Sequence, residues 1–115
     1  MPVIVLQGKR QQYLFSVVEA DYENMPSWGG IYIAVNATKL GIDMQSCVAI
    51  GACDNFKKYA ENIKKFVFGK CTHLYLLPEF ERVSRKIALE DLLNTEAFSN
   101  VSIHEVPESQ QQGMF

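Results

Sequence analysis

Histidine and cysteine are scarce in this chain. Its two histidines, His73 and His104, are too few for a histidine-rich metal centre. The three cysteines, Cys47, Cys53 and Cys71, cannot build a disulfide framework. None forms the C-x-x-C pair of a structural zinc site, so they read as reduced thiols of a reducing compartment. No stretch approaches the roughly 18 apolar residues of a membrane helix, and the N-terminal residues lack a secretory pattern. The expectation is a cytoplasmic protein with no membrane contact. Internal repeats are lacking, and the only low-complexity run is the three glutamines at 110–112.

What is present is the composition of a folded domain. The 115 residues are 48% hydrophobic and 21% charged, enough apolar side chain for one core and too short a chain for two ordinary domains. Net charge is −2, unevenly spread. Between residues 55 and 86, eight basic residues face three acidic ones, a net of +5. The remainder carries −7. A basic middle in an acidic chain suits a polyanion or an acidic partner, or simply two solvated helix faces. Lys57, Lys58, Lys64, Arg82, Arg85 and Lys86 are the candidate phosphate- or partner-binding residues of that segment.

Apolar periodicity orders the chain. Runs at 3–6 and 13–18 flank Gly8 and predict a hairpin. A polar loop follows at 19–28, then strands at 30–35 and 47–51, joined by a loop around Gly41. Asp54 is placed to cap a helix whose stripe is Phe56, Tyr59, Ala60, Ile63 and Phe66/Val67, with Gly69 as its stop. A strand at 71–77 ends at Pro78, and a second helix spans 79–98 with a core stripe of Phe80, Val83 and Ile87. The tail after Ser99 adds a short strand at 101–106, and 109–115 are expected to fray. The fold class is α+β: a small mixed, mainly antiparallel sheet with an N-terminal hairpin, packed by two helices. The domain covers 1–100, and 101–115 form a C-terminal tail.

Four segments carry a family resemblance. They are Gly30-Ile31-Tyr32 on one strand, Ala49-Ile50-Gly51 on the next, Gly69-Lys70-Cys71-Thr72-His73-Leu74, and Arg85-Lys86-Ile87-Ala88-Leu89-Glu90-Asp91-Leu92-Leu93. In this order and spacing the chain resembles the GIY-YIG nuclease superfamily over about residues 3–100. The resemblance implies phosphodiester hydrolysis. A tyrosine would assist proton removal from water, an arginine would bind phosphate in a fork, and a glutamate would hold one divalent metal. Here the first tyrosine is Tyr32. The second tyrosine is Ala49, the arginine position is Tyr59, and the glutamate position is Leu89. Leucine offers no oxygen to a hard cation. Glu90 is adjacent, but one residue turns a helix by about 100°. Tyr32, Ala49, Gly51, Tyr59 and Leu89 therefore read as a vestigial nuclease cleft with no catalytic residue, no metal and no cofactor. Magnesium or manganese enters only if the chain is a divergent active nuclease.

Leu89 shares a helical face with Arg82, Arg85, Lys86 and Leu93. That face is an apolar filling of the cleft, a contact surface for a partner, or an enlargement of the core. Cys53 and His73 offer a thiol and a base, with no third group to orient them. The favoured function is a non-catalytic protein-interaction or inhibitory module of the kind phage and mobile elements encode. The alternatives are nucleic-acid binding through residues 55–86 without cleavage, and a divergent metal-dependent endonuclease. A homodimer through Leu89, Leu92 and Leu93 is a further expectation.

Overall fold

Strand β3 (Gly30–Val35) decides the architecture, because all six of its residues are buried. Successive strand side chains point to opposite faces, so a strand buried throughout needs cover on both sides. Tyr32 and Ala34 pack on one face with helix α1 (Ala60–Val67). Ile31, Ile33 and Val35 pack on the other with helix α2 (Arg82–Leu93). The computed structural model describes residues 3–36, 47–67, 71–98 and 101–105.

The chain is a small α+β domain with one six-stranded sheet. The other strands are β1 (Val3–Gln7), β2 (Gln12–Glu19), β4 (Cys47–Cys53), β5 (His73–Pro78) and β6 (Ser102–Glu105). Their order across the sheet is β1-β2-β5-β3-β4-β6. Every pairing is antiparallel except β4 with β6. Gly30 is required where β3 meets β5, since a Cβ there would stand 1.8 Å from the Leu77 carbonyl oxygen. No helix among the described residues is long and apolar enough to cross a membrane.

The first helix keeps its predicted stripe: Phe56, Tyr59, Ala60, Ile63 and Val67 are buried, while Lys57, Lys58, Lys64 and Lys65 are exposed. Asn55 closes the turn that leads into it. The Asn55 side-chain oxygen accepts from the Lys58 amide at 3.0 Å. Strand β4 runs through Gly51 to Cys53, and β5 begins at His73. The predicted helix stop at Gly69, most of the loop around Gly41 and the tail at 109–115 lie outside the described residues.

The second helix corrects the sequence reading. It is shorter than 79–98, and its assigned core stripe faces outward: Phe80 is 72% exposed, Val83 68% and Ile87 47%. Arg85, Ala88, Asp91 and Leu92 are buried instead. Leu89 and Leu93 pack partly buried against the same core. Both stripes are apolar, so polar anchors select the buried one. The Arg85 Nη1 donates to the carbonyls of Glu79 (3.2 Å) and Phe80 (2.9 Å). Asp91 accepts from the Arg10 amide (2.9 Å), the Gln11 amide (3.3 Å) and the Tyr13 hydroxyl (2.9 Å). The β1–β2 turn is thereby tied to the end of α2. Leu92, counted above toward a dimer contact, is wholly buried in the core.

Two stability measurements check this account. Denaturant titration of Leu92→Ala is expected to show a loss of about 2–5 kcal/mol, and of Val83→Ala less than about 0.5 kcal/mol. Acid unfolding reports on Asp91. Burial pushes its carboxyl upward, but hydrogen bonds from Tyr13 and from the Arg10 and Gln11 amides outweigh this and hold its pKa below the ordinary 3.8. The resulting stability is present above that value and is lost as pH falls through the depressed one. Asp91→Asn is expected to melt lower at neutral pH and to lack this acid component.

Candidate functional site

Three strands place one polar row on the α1 face. Tyr32 of β3 stands opposite Gly51 of β4, and Gly51 opposite His104 of β6. Because position 51 has no side chain, the Tyr32 ring lies across β4 and its hydroxyl reaches His104 Nδ1. A Cβ at 51 would come within 2.8 Å of the Tyr32 ring and 2.7 Å of the His104 carbonyl oxygen. The His104 ring stacks on Phe66 of α1, with centroids 4.1 Å apart and planes 7° from parallel. Phe56, in the turn before α1, meets Tyr32 edge-on.

The protonation states follow from burial. Burial, with Cys53, Tyr22 and Cys71 nearby, pushes the Tyr32 hydroxyl far above the ordinary phenol value. Burial also lowers the His104 pKa and holds the imidazole neutral. One hydrogen bond therefore joins a neutral phenol to a neutral imidazole at Nδ1. Tyr22 and Cys71 share a second hydrogen bond of 2.9 Å on this face. Burial raises the pKa of Cys71, and pushes that of Cys47 up to about 11. At neutral pH these two thiols stay protonated and are poor nucleophiles.

The five residues assigned to a vestigial cleft do not line one cavity. Tyr32, Ala49 and Tyr59 are core residues of the α1 face, and Gly51 lies in the Tyr32 row. Leu89 packs on the α2 face, across the sheet from them. The basic residues are divided in the same way. Lys57, Lys58 and Lys64 are exposed at and before α1, and Lys58 Nζ lies 5.3 Å from the Tyr59 ring centroid. Arg82 and Lys86 are exposed on α2, while Arg85 is buried. The +5 segment is thus folded onto both sides of the sheet and is not one surface. Cys53 and His73 stand at opposite ends of β3, opposite Gly30 and Val35, about 17 Å apart along the strand. They form no thiol–base pair. Among the described residues no group of three or more His, Cys, Asp or Glu is placed to hold a metal ion.

A concavity lies elsewhere among the described residues. A groove of about 750 Å³ opens on the α1 face beside the helix. Its floor comes from Ser16 and Val18 of β2 and Leu76 of β5, and its wall from Met25, Pro26 and Trp28. Asp21 joins its lining, whereas the Glu19 side chain, in step with Tyr13, Phe15 and Val17 along β2, points to the opposite face. The wall is fixed in place: the Pro26 and Trp28 carbonyls accept from the Lys57 (2.9 Å) and Phe56 (3.0 Å) amides. The Trp28 ring meets Phe56 edge-on at 5.4 Å. This groove and the role of His104 were both missed in the sequence. Proline and tryptophan in a polar loop hinted at the wall. Nothing local signalled that Tyr32 and His104, 72 residues apart, share a row.

No protein-family model, curated protein or solved structure matches this chain.

The Tyr32–His104 bond predicts a pH dependence. The imidazole pKa lies below its ordinary 6.5, so the stability it contributes is complete above that value and declines as pH falls below it. Protection factors of amides 102–105, corrected for the intrinsic pH dependence of exchange, are expected to fall between neutral pH and about pH 5 in the wild type. Tyr32→Phe and His104→Gln should show raised exchange there already at neutral pH.

Proposed function

We propose that this domain is a non-catalytic protein-interaction module on a scaffold resembling the GIY-YIG nucleases, and that its partner enters the groove beside α1. The observation that carries the reading is the composition of that groove. An apolar floor and wall of Val18, Leu76, Met25, Pro26 and Trp28 is joined by the carboxylate of Asp21. Such a surface suits an extended apolar segment bearing a lysine or arginine. The wall is preformed, which lowers the ordering cost of binding.

Support also comes from the use made of the nuclease positions. Tyr32 is buried, hydrogen-bonded and enclosed by Phe56 and His104, so its hydroxyl serves the fold. Leu89 is separated from it by the sheet. The overall acidic charge, with pI near 5.6, and the division of the basic residues between two faces favour a protein partner over a nucleic acid.

A displayed random-peptide library tests the reading. The selected peptides are expected to combine apolar residues with Lys or Arg. Ser16→Arg and Val18→Lys should each weaken their binding at least about tenfold without altering the far-ultraviolet circular dichroism. Selected peptides whose binding ignores both substitutions would place recognition outside the groove. Magnesium- or manganese-dependent cleavage of plasmid or single-stranded DNA, or DNA binding that falls steeply with salt, would overturn it in favour of the nuclease or nucleic-acid reading.

A further inference from the structure

The two edges of the sheet are built differently. Strand β6 is four residues long, pairs in parallel, and is anchored by the His104 ring. Strand β1 is five residues, Val-Ile-Val-Leu-Gln, with no charge, proline or bulge. Those are the devices by which sheet edges are normally kept from pairing with other chains.

The hydrogen-bond phase of β1 follows from its neighbours. The Gly8 amide donates to the Gln11 carbonyl (2.8 Å) at the turn, and the Ala20 amide donates to the Thr72 carbonyl (3.0 Å) at the far end of β2. In an antiparallel ladder these groups alternate sides residue by residue. Ser16 and Val18 therefore bond toward β5, and Tyr13 and Phe15 toward β1, opposite Leu6 and Ile4. The amides and carbonyls of Val3, Val5 and Gln7 point to the open edge. These three positions are symmetric about Val5.

We propose that β1 pairs antiparallel with β1 of a second copy, on a two-fold axis through Val5. In that register Val5 meets Val5, and Val3 meets Gln7, so each outward amide finds an outward carbonyl. Charge matching selects the second copy as occupant. A charged partner strand finds no opposite charge along residues 3–7, whereas the strand's own copy brings none. The side chains agree: Val3 (57% exposed), Val5 (53%) and the neighbouring Leu14 (57%) form an apolar band that continues across the axis. The axis is perpendicular to the sheet, so both grooves open on the same side of one continuous sheet. The dimer is then a bivalent form of the domain.

A five-residue edge with three half-exposed side chains buries less than the roughly 1,200 Å² of a standard interface. The dimer is accordingly reversible, with a dissociation constant of about 10–100 μM. Sedimentation equilibrium of the full chain should show it. Val5→Lys is expected to raise that constant at least about 20-fold with an unchanged melting curve. Val5→Pro removes an outward amide that the intramolecular ladder does not use, and should act alike. Independently of both, Val5→Cys should form an intermolecular disulfide under mild oxidation, while Ile103→Cys on the other edge should not. A chain that stays monomeric to about 0.5 mM overturns the proposal. So does a dimer unmoved by Val5→Lys, such as one held by Phe80, Val83 and Ile87, or a Val5→Cys variant that fails to cross-link.

Discussion

The interior position of β3 is the constraint from which the rest of the structure follows. Six consecutive buried residues can be satisfied only if both faces of the sheet are covered. One helix on each face is the least cover that does so. Strand alternation then assigns every neighbouring residue to a side. Tyr32, Ala34, Ala49 and Cys53 go to α1, and Ile31, Ile33, Val35 and Ile50 go to α2. A residue of α2 cannot meet the Tyr32 hydroxyl through this sheet. That geometry, more than the identity of any one residue, separates Leu89 from Tyr32 and divides the basic segment.

The same alternation gives Tyr32 its role. On a strand wholly within the core its polar tip needs a partner, because an unbonded buried hydroxyl costs about 1–3 kcal/mol. Strand β4 carries no side chain opposite it, at Gly51, and the phenol crosses that gap to His104 on the edge strand. Glycine in a strand interior weakens it. Here the loss is offset by a bond that fastens β6 to the sheet, with Phe66 stacked on the imidazole. Tyrosine, glycine and histidine act as one structural unit, and three elements of the fold depend on it.

Much of the fold was legible in the sequence and little of the site was. The hairpin, β3 and the α1 stripe show strong local patterns, and tertiary packing agrees with them. In α2 the local pattern misleads. Phe80, Val83 and Ile87 form as good an apolar stripe as Ala88, Leu89 and Leu92, and the choice is made by Asp91 and Arg85 bonding to backbone 5 to 81 residues away. A polar residue within an apolar stripe looks like a reason to face water. Here Asp91 is the reason the stripe faces inward. Registers across strands are likewise nonlocal, so neither the Tyr32–His104 row nor the groove could be read from spacing.

What one helix per face leaves open is as informative as what it covers. A helix is about 10 Å wide and strands lie about 4.8 Å apart, so α1 covers two or three strands of six. It sits over β3, β4 and β5, and the 21–28 loop reaches back over part of β2. No described element covers the α1 face of β1 and the start of β2, and Val3, Val5 and Leu14 stand exposed there beside the groove. Isolated apolar side chains are ordinary on a protein surface. These are not isolated: they adjoin a preformed apolar groove on one side and an unpaired backbone edge on the other. The described residues of α1, 60–67, do not extend over this end of the sheet. The economical account of that omission is that the end is shielded by another chain.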